Sequence, residues 1–592
     1  MSPGEKVGNL RSEMKKKGFN AFVILRTEPG LKYGMPGHWE LLSWLTGFTG
    51  SAGTLVITED FAGLWTDSRY TIQARKELKG SGIEPFEEEG SSDSFIKWLG
   101  EKMSPGAVVG VDGKIFPAKS ALKIRKTLAE KGVRLADATD FLSVIRKDSP
   151  QPSLEPVMDY SPLYSGKTRR EKFEEIRKMM SRQKADFQLL ASLDDIAWFF
   201  NLRGNDIPHT PLFDAFALIS RYHEVLFIDD IKLPGEVKAA LMKDGVILST
   251  PENIEKHLAD FPEGSRVHLN PAKTALWLFN MIPSHCRIVE GKTIPAVLKT
   301  CKNETEIKHI RNVMVKDGVA LVKFFMWLEK NCGRRGITEY AASVKLDRFR
   351  NTQENYTGTS FPPIVAYRGN GAKVHYTPLP GKSEKIERNG ILLVDSGGQY
   401  IDGTTDTTRT VSLGNSTDKQ KRDFTLVLKG HIELATTIFP EGTMGFHLDA
   451  LARKHLWQEG KNYGHGTGHG VGFFLNVHEG PPSISPNREN DTSLEPGMVL
   501  SNEPGIYREG EYGIRTENLV LVKHHSRTEW GRFLAFETLT LFPVDRELIV
   551  PSMLTSFEKK WLNSYHLKVW DSLSGFLDDE EKAWLKDKTR RI

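Results

Sequence analysis

The sequence predicts two successive α/β domains followed by a larger α+β domain. Three observations carry this. At 592 residues the chain exceeds what one hydrophobic core serves, and three domains is the natural division. Pro150, Pro152, Pro156 and Pro162 crowd one short stretch and mark a linker. On either side of it the sequence partly repeats: residues 16–24 resemble 182–190, and 44–48 resemble 198–202. Two copies describe duplicated domains, because a solenoid needs three or more. The two offsets differ, which places an insertion in the first copy near residues 34–40. The divisions fall at 1–149, 150–300 and 301–592.

Each domain follows from its own pattern. Residues 19–25 are a short buried strand after a charged helix. Residues 53–57 and 62–65 form a hairpin around Thr58-Glu59-Asp60. Asp67-Ser68-Arg69-Tyr70 follows and opens a helix, for which Asp67 offers an N-cap. The third domain begins near Lys302-Asn303-Glu304. There Ile307, Ile310, Met314, Val315, Leu321 and Val322 recur at helical spacing. Further helices are expected at 339–352, 418–438 and 446–457. Strands are expected at 364–367, 391–395, 404–411, 499–502 and 518–522. Helices mixed with antiparallel strands make this an α+β unit.

Composition narrows the function classes. Hydrophobic content of 39% and charged content of 26% describe an ordinary globular protein. The net charge of +4 is small for this length. Lys15-Lys16-Lys17 and Arg169-Arg170 are the densest basic clusters, and neither forms a stripe interleaved with aromatics. Both read as solvated helix faces, so no nucleic-acid partner is expected. Cys286, Cys301 and Cys332 show no C-x-x-C spacing, and so sparse a count suits a reducing compartment. The N-terminus lacks the apolar region of a signal peptide. The best apolar run, 318–328, is interrupted by Lys323, so no membrane span is expected. A cytoplasmic location follows.

The chemistry centres on Tyr463-Gly464-His465-Gly466-Thr467-Gly468-His469-Gly470-Val471-Gly472. So many glycines cost too much backbone entropy for a helix, which excludes the H-E-x-x-H arrangement. No phosphate-binding frame fits the run either. Around it stand four carboxylates that end or interrupt strand-like runs. Asp395 closes 391–395, Asp406 follows a Thr-rich stretch, Glu503 follows Ser501-Asn502, and Glu517 follows Arg515-Thr516. A carboxylate in such a place is normally expelled from a core. Taken singly, each would more readily be a buried ion-pair partner or a cap. Four carboxylates with one histidine make a site for two divalent cations, whose charge they balance. Asp395 and Asp406 are separated by Gly397-Gly398, and a turn there would pair their strands and point both at one pocket.

Asp395, Asp406, His469, Glu503 and Glu517, in this order and local context, resemble the five metal ligands of the pita-bread metallopeptidases. The match is strong over about residues 300–545. The length and the two preceding domains are similar to the long, three-domain, cytosolic type of aminopeptidase P. The resemblance implies two related creatinase-like domains before a pita-bread catalytic domain. It implies that Asp395 binds one metal alone, that Asp406 and Glu517 bridge the pair, and that His469 and Glu503 complete the second. Oxygen-rich ligation with one imidazole favours Mn²⁺, with Co²⁺ or Zn²⁺ as substitutes. Bound metals would acidify a water, and Glu503 would serve as general base and acid. His375, His465 and His478 match the family's substrate-contacting histidines. Arg69 resembles an arginine that the family draws from its first domain. Arg515 lies two residues before Glu517, a spacing that suggests an ion pair orienting that ligand within a substrate-contacting site.

The implied activity is removal of an N-terminal residue that precedes proline. A prolidase, which cleaves only dipeptides, is the first alternative, but prolidases usually carry one N-terminal domain. Methionine aminopeptidase lacks such domains. A non-catalytic peptide-binding module or creatinase-like chemistry is disfavoured because all five ligands are kept. Beyond the last ligand, Phe557, Trp561, Leu562 and Tyr565 share one helix face, and Trp570, Leu573, Phe576, Leu577, Trp584 and Leu585 add apolar surface. This load either packs on its own domain or forms a two-fold interface. The resemblance favours a homodimer built on the catalytic domain.

Overall fold

The computed structural model describes residues 1–26, 37, 40–88, 93–333 and 336–592. Most of the insertion expected near 34–40 lies outside them. The chain divides into two compact units. Met1–Ser161, Lys167–Ile207 and Pro211–Val297 form the first; Pro162–Gly166, Pro208–Thr210 and Leu298–Ile592 form the second.

The first unit holds two six-stranded sheets of one design. The first sheet runs Glu84–Glu87, Ala62–Thr66, Thr54–Thr58, Ala21–Leu25, Val108–Val111, Arg134–Asp137. The second runs Ile247–Ser249, Glu224–Phe227, Phe216–Ser220, Phe187–Leu190, Arg266–Leu269, Arg287–Glu290. Across both, neighbours pair parallel, antiparallel, antiparallel, parallel, parallel. The repeated segments thus occupy the same place: Ala21–Leu25 and Phe187–Leu190 are each fourth in their sheet. Side-chain alternation in the first sheet sends Phe22 and Ile24 to a core with Val7, Leu10 and Met14 of helix Pro3–Lys17. Ala21 and Val23 go to the opposite face with Leu99, Val109 and Leu128. Both faces are covered, as parallel pairing requires. The two domains meet through equivalent loops, where Pro117 bridges Ala275, Ala118 N donates to Thr274 O and Leu276 N donates to Phe116 O.

One expectation fails here. Tyr70, not Asp67, is the N-cap of helix Thr71–Glu77. The Asp67 carboxylate accepts from the backbone N–H, Nε and Nη2 of Arg69 at 3.0, 2.8 and 2.7 Å. A charged fork two residues away outcompetes a neutral helix N–H.

The second unit opens with helix Glu304–Asn331, capped by Asn303 in a reciprocal box with Glu306. Helices Glu339–Arg350, Asp418–Ala435 and Gly445–Trp457 follow. Ile364–Tyr367, Ile391–Ser396 and Thr407–Ser412 form one antiparallel sheet. A six-stranded sheet runs Ile438–Pro440, Gly531–Thr538, Asn518–Thr528, Val499–Asn502, Gly468–Gly470, Glu479–Ile484. Two expected elements differ. The helix expected to reach 438 stops at Ala435, because Ile438–Pro440 pairs with Gly531–Thr538. The strand expected over 404–411 is broken into Gly403–Thr404 and Thr407–Ser412, with Asp406 in the break.

The C-terminal tail packs on its own unit. Leu562, Tyr565 and Leu573 of helix Ser556–Leu573 are buried, as is Leu585 of helix Asp579–Lys588. The Tyr565 hydroxyl lies 2.8 Å from Phe542 O. The apolar face read for an interface is thus largely spent inside the chain, while Phe557 and Phe576 stay exposed.

Candidate metal centre

Asp395 sits near the end of Ile391–Ser396, directly opposite Thr408 of Thr407–Ser412. Between these strands the chain crosses itself closely. A Cβ on Gly397 would lie 1.9 Å from Thr405 O and 2.2 Å from Ser360 Oγ, so no side chain fits there. The Gly398 N–H donates to Thr405 Oγ1 at 2.9 Å. This crossing turns both carboxylates inward, and Asp395 and Asp406 are buried.

The glycine-rich run becomes strand Gly468–Gly470, wedged between Val499–Asn502 and Glu479–Ile484. Its glycines serve backbone proximity. A Cβ on Gly468 would meet Ser501 O at 1.9 Å, and one on Gly470 would meet Glu479 O at 2.3 Å. His469 Nδ1 donates to Gly470 O at 2.9 Å, and a carbonyl can only accept, so Nε2 carries the free lone pair. Nε2 faces Asp406 Oδ2 at 3.5 Å and Glu503 Oε1 at 3.6 Å.

Glu503 follows Val499–Asn502, its N–H bonded to Thr467 O at 2.8 Å, and Ser501 Oγ donates to its Oε1 at 3.2 Å. Glu517 immediately precedes Asn518–Thr528. Its Oε2 accepts from Thr408 Oγ1 at 2.7 Å and its N–H donates to Thr408 O at 3.1 Å. Donor atoms of Asp406, His469 and Glu517 all lie within 4.8 Å of one another. Without cations, so much crowded negative charge is costly. Burial first, then neighbouring Asp395 and Glu503, raise the Asp406 carboxyl well above its ordinary range. Burial, then Asp406, Glu503 and Asp395, do the same to Glu517. Burial also raises Glu503, against the opposing pull of His469 and Arg515.

The residues suit divalent cations. Oxygen donors surround one imidazole with its lone pair turned inward, and Asp395 Oδ1 is buried with no hydrogen-bond partner among the described residues.

Arg515 does not pair with Glu517. Strand Tyr512–Arg515 ends at Arg515, so the two residues do not share a strand face. Its Nη2 instead donates to Asp395 Oδ2 at 2.5 Å, Nη1 to Tyr507 Oη at 2.7 Å and Nε to Thr408 Oγ1 at 3.1 Å. Its hydrogen-bonded link to Glu517 runs through the Thr408 hydroxyl. His465 mirrors His469: Nδ1 donates to Gly466 O at 2.8 Å, and Nε2 accepts from Tyr507 Oη at 2.8 Å. Burial pushes the Tyr507 hydroxyl up to about 12, so it stays a donor. His478 is exposed, its ring 4.3 Å from that of His469 and nearly perpendicular. His375 is half-buried beside Val374, whose carbonyl accepts from Arg515 Nη2 at 3.4 Å. Arg69 belongs to the first unit and holds Asp67; its link to substrate rests on the resemblance alone.

Three participants escaped sequence reasoning. Thr408 joins Arg515 to Glu517. Tyr507 joins Arg515 to His465. Glu339, fully buried, accepts from Tyr367 N at 2.7 Å, Asn370 Nδ2 at 3.1 Å, Tyr376 Oη at 2.7 Å and Glu384 N at 2.8 Å, and so ties down the segment carrying His375. Nothing in local spacing marks Glu339, since it reads as an ordinary first-turn helix acid.

An α+β unit that turns four carboxylates and an imidazole towards one another has the make-up of a metal-dependent hydrolase. Comparison with known proteins gives its kind. Residues 308–524 match metallopeptidase family M24, and 532–592 match the C-terminal region of that peptidase. Residues 6–147 and 148–306 each match a creatinase/prolidase N-terminal domain. A probable Xaa-Pro aminopeptidase P from Talaromyces marneffei is 37% identical over 99% of this chain and 92% of its own length. Another, from Paracoccidioides brasiliensis (strain Pb03), is 37% identical over 99% of each. The crystal structure of an X-prolyl aminopeptidase from Caenorhabditis elegans, described as a cytosolic enzyme with a di-nuclear active site, covers 100% of both chains with a TM-score of 0.95 and 32% identity. The chain belongs to metallopeptidase family M24, among its Xaa-Pro aminopeptidase P proteins.

Proposed function

We propose that this protein is an Xaa-Pro aminopeptidase that uses two divalent metal ions, most naturally Mn²⁺, to hydrolyse the bond before a penultimate proline. The observation that carries it is the buried Asp395 carboxylate, which has one oxygen on Arg515, the other without a hydrogen-bond partner among the described residues, and a charge that repels those of Asp406 and Glu517 in the Asp406–His469–Glu517 cluster. Asp395, Asp406, His469, Glu503 and Glu517 would hold the metals. When bound, they supply Lewis acidity and bring the pKa of a water towards neutrality. Glu503, the acid whose other bond is to a serine hydroxyl, takes the proton from the attacking water and delivers it to the proline nitrogen. His375 and His478 contact the substrate, and His465 lines the pocket while fixing Tyr507 and Arg515. Cleavage of a Xaa-Pro-Xaa tripeptide, lost on chelation and restored by Mn²⁺, tests this. Hydrolysis of Xaa-Pro dipeptides alone would favour a prolidase.

The protein is further read as a cytoplasmic homodimer. The three cysteines are unpaired thiols. No helix among the described residues is long and apolar enough to cross a membrane. The exposed Phe557 and Phe576 offer the tail's outer surface to a second catalytic domain. Sedimentation at micromolar concentration decides the assembly; a monomer mass excludes it.

A further inference from the structure

Beneath the carboxylates lies a buried imidazole that the reaction does not use. His431, on helix Asp418–Ala435, is fully buried. It faces the place where the ladder between the two glutamate-bearing segments is interrupted. Asn502 ends Val499–Asn502 and Asn518 begins Asn518–Thr528, and these two residues are opposite one another in the antiparallel ladder. Glu503 follows the one and Glu517 precedes the other. The ladder is interrupted at the two glutamates and resumes beyond them in the same register, where Thr516 N donates to Pro504 O at 3.4 Å and Gly505 pairs with Arg515.

His431 braces the Asn502–Asn518 side of that interruption. Its Nδ1 donates to Asn502 O at 3.1 Å, and its Nε2 accepts from Asn518 Nδ2 at 3.0 Å. Asn502 Nδ2 returns a bond to His431 O at 2.9 Å. The Asn518 amide is fixed in this orientation because Arg409 Nη2 donates to its Oδ1 at 2.8 Å, while Arg409 Nη1 donates to Glu517 O at 2.6 Å. A neutral imidazole offers one donor and one acceptor on a rigid ring, which is what this bridge uses. Burial, with Arg409 nearby, lowers the ring to about 3, so it stays neutral.

We propose that His431 is a positioning residue of the metal centre, fixing the spacing between Glu503 and Glu517 by bridging Asn502 and Asn518. This rests on the reading of both glutamates as metal ligands. It is tested by titrating Mn²⁺ into chelator-stripped full-length protein carrying His431→Phe, His431→Asn or Asn518→Ala. His431→Phe keeps the ring's bulk and removes both nitrogens. It is expected to weaken Mn²⁺ binding by about 10–100-fold, the usual cost of losing an outer-shell partner. Turnover of a Xaa-Pro-Xaa tripeptide falls with it, and KM changes far less. His431→Asn, which can still donate to Asn502 O, recovers part of the affinity. Should His431→Phe not fold, Asn518→Ala, which removes the Nε2 bond together with the Oδ1 acceptor of Arg409 Nη2, is expected to weaken binding in the same direction. A folded variant with lowered Tm and unchanged Mn²⁺ affinity overturns the proposal, because His431 would then be merely structural. Wild-type protein that takes up no Mn²⁺ overturns the ligand assignment beneath it, a separate failure visible before any variant is compared.

Discussion

Arg515 donates from Nη2 to Asp395 Oδ2 at 2.5 Å, and the same guanidinium reaches Tyr507 and Thr408, so one side chain joins two proposed ligands and one substrate-side histidine. Lysine cannot reproduce that fork. Arg515→Lys is predicted to lower Mn²⁺ affinity and turnover by about 10–100-fold. Arg515→Leu does more, since it leaves the buried Asp395 with no cationic partner. Metal titration alongside steady-state kinetics checks both; unchanged metal affinity in a folded variant contradicts the assignment.

A second prediction concerns pH. In metal-free protein Asp406, Glu517 and Glu503 hold their protons above the ordinary carboxylate range. A folded-state pKa raised above the unfolded value gives stability that is complete below about pH 4, the unfolded carboxylate value, and is lost as pH climbs through the folded values. The stripped protein is therefore expected to lose Tm as pH rises above about 4, as far as these three groups govern it. Bound cations favour the ionised ligands and reverse the sign. Thermal melts across pH, with chelator and with Mn²⁺, check this; identical slopes contradict it.

Glu339→Ala leaves the Asn370 amide, the Tyr376 hydroxyl and two backbone N–H groups without their carboxylate. A loss of at least about 3 kcal/mol is expected from so many stranded donors. Denaturant unfolding measures it. Because the segment carries His375, KM for peptide should rise even where the protein remains folded.

Gly468→Ala would force a Cβ to within 1.9 Å of Ser501 O. The strand Gly468–Gly470 must then move, taking His469 with it. Metal uptake is expected to fall by more than the Tm shift accounts for. A variant that binds Mn²⁺ like the wild type contradicts the close-approach reading of this glycine.

The fold, and the signals that mark the five proposed ligands, are legible because each signal is local. Asp395 ends an apolar run, and Asp406 interrupts a Thr-rich one. His469 sits among glycines that only crowding explains. The duplication was legible for the same reason, since residues 16–24 and 182–190 are each a contiguous segment that becomes the fourth strand of its sheet. What escaped depends on contacts between distant segments. Local spacing pairs Arg515 with Glu517, but its partner Asp395 is 120 residues away. Tyr507, Glu339 and His431 have no local signature. Their roles exist only once the strands are assembled. The tail's aromatics were visible, but which of them turn inward depends on Thr540 and Phe542, whose carbonyls lie within reach of the Tyr565 hydroxyl.

The central claim is that these carboxylates and His469 hold the metal that makes the protein a peptidase. Its most direct test measures bound metal and cleavage of a Xaa-Pro-Xaa tripeptide on one sample, for wild type and Glu517→Ala. The stripped wild type is expected to be inactive, to take up two Mn²⁺ per chain and to regain cleavage with them, and Glu517→Ala is expected to lose metal and fall in rate by orders of magnitude. Full cleavage by protein verified to be metal-free, or near-normal turnover in Glu517→Ala, would contradict it.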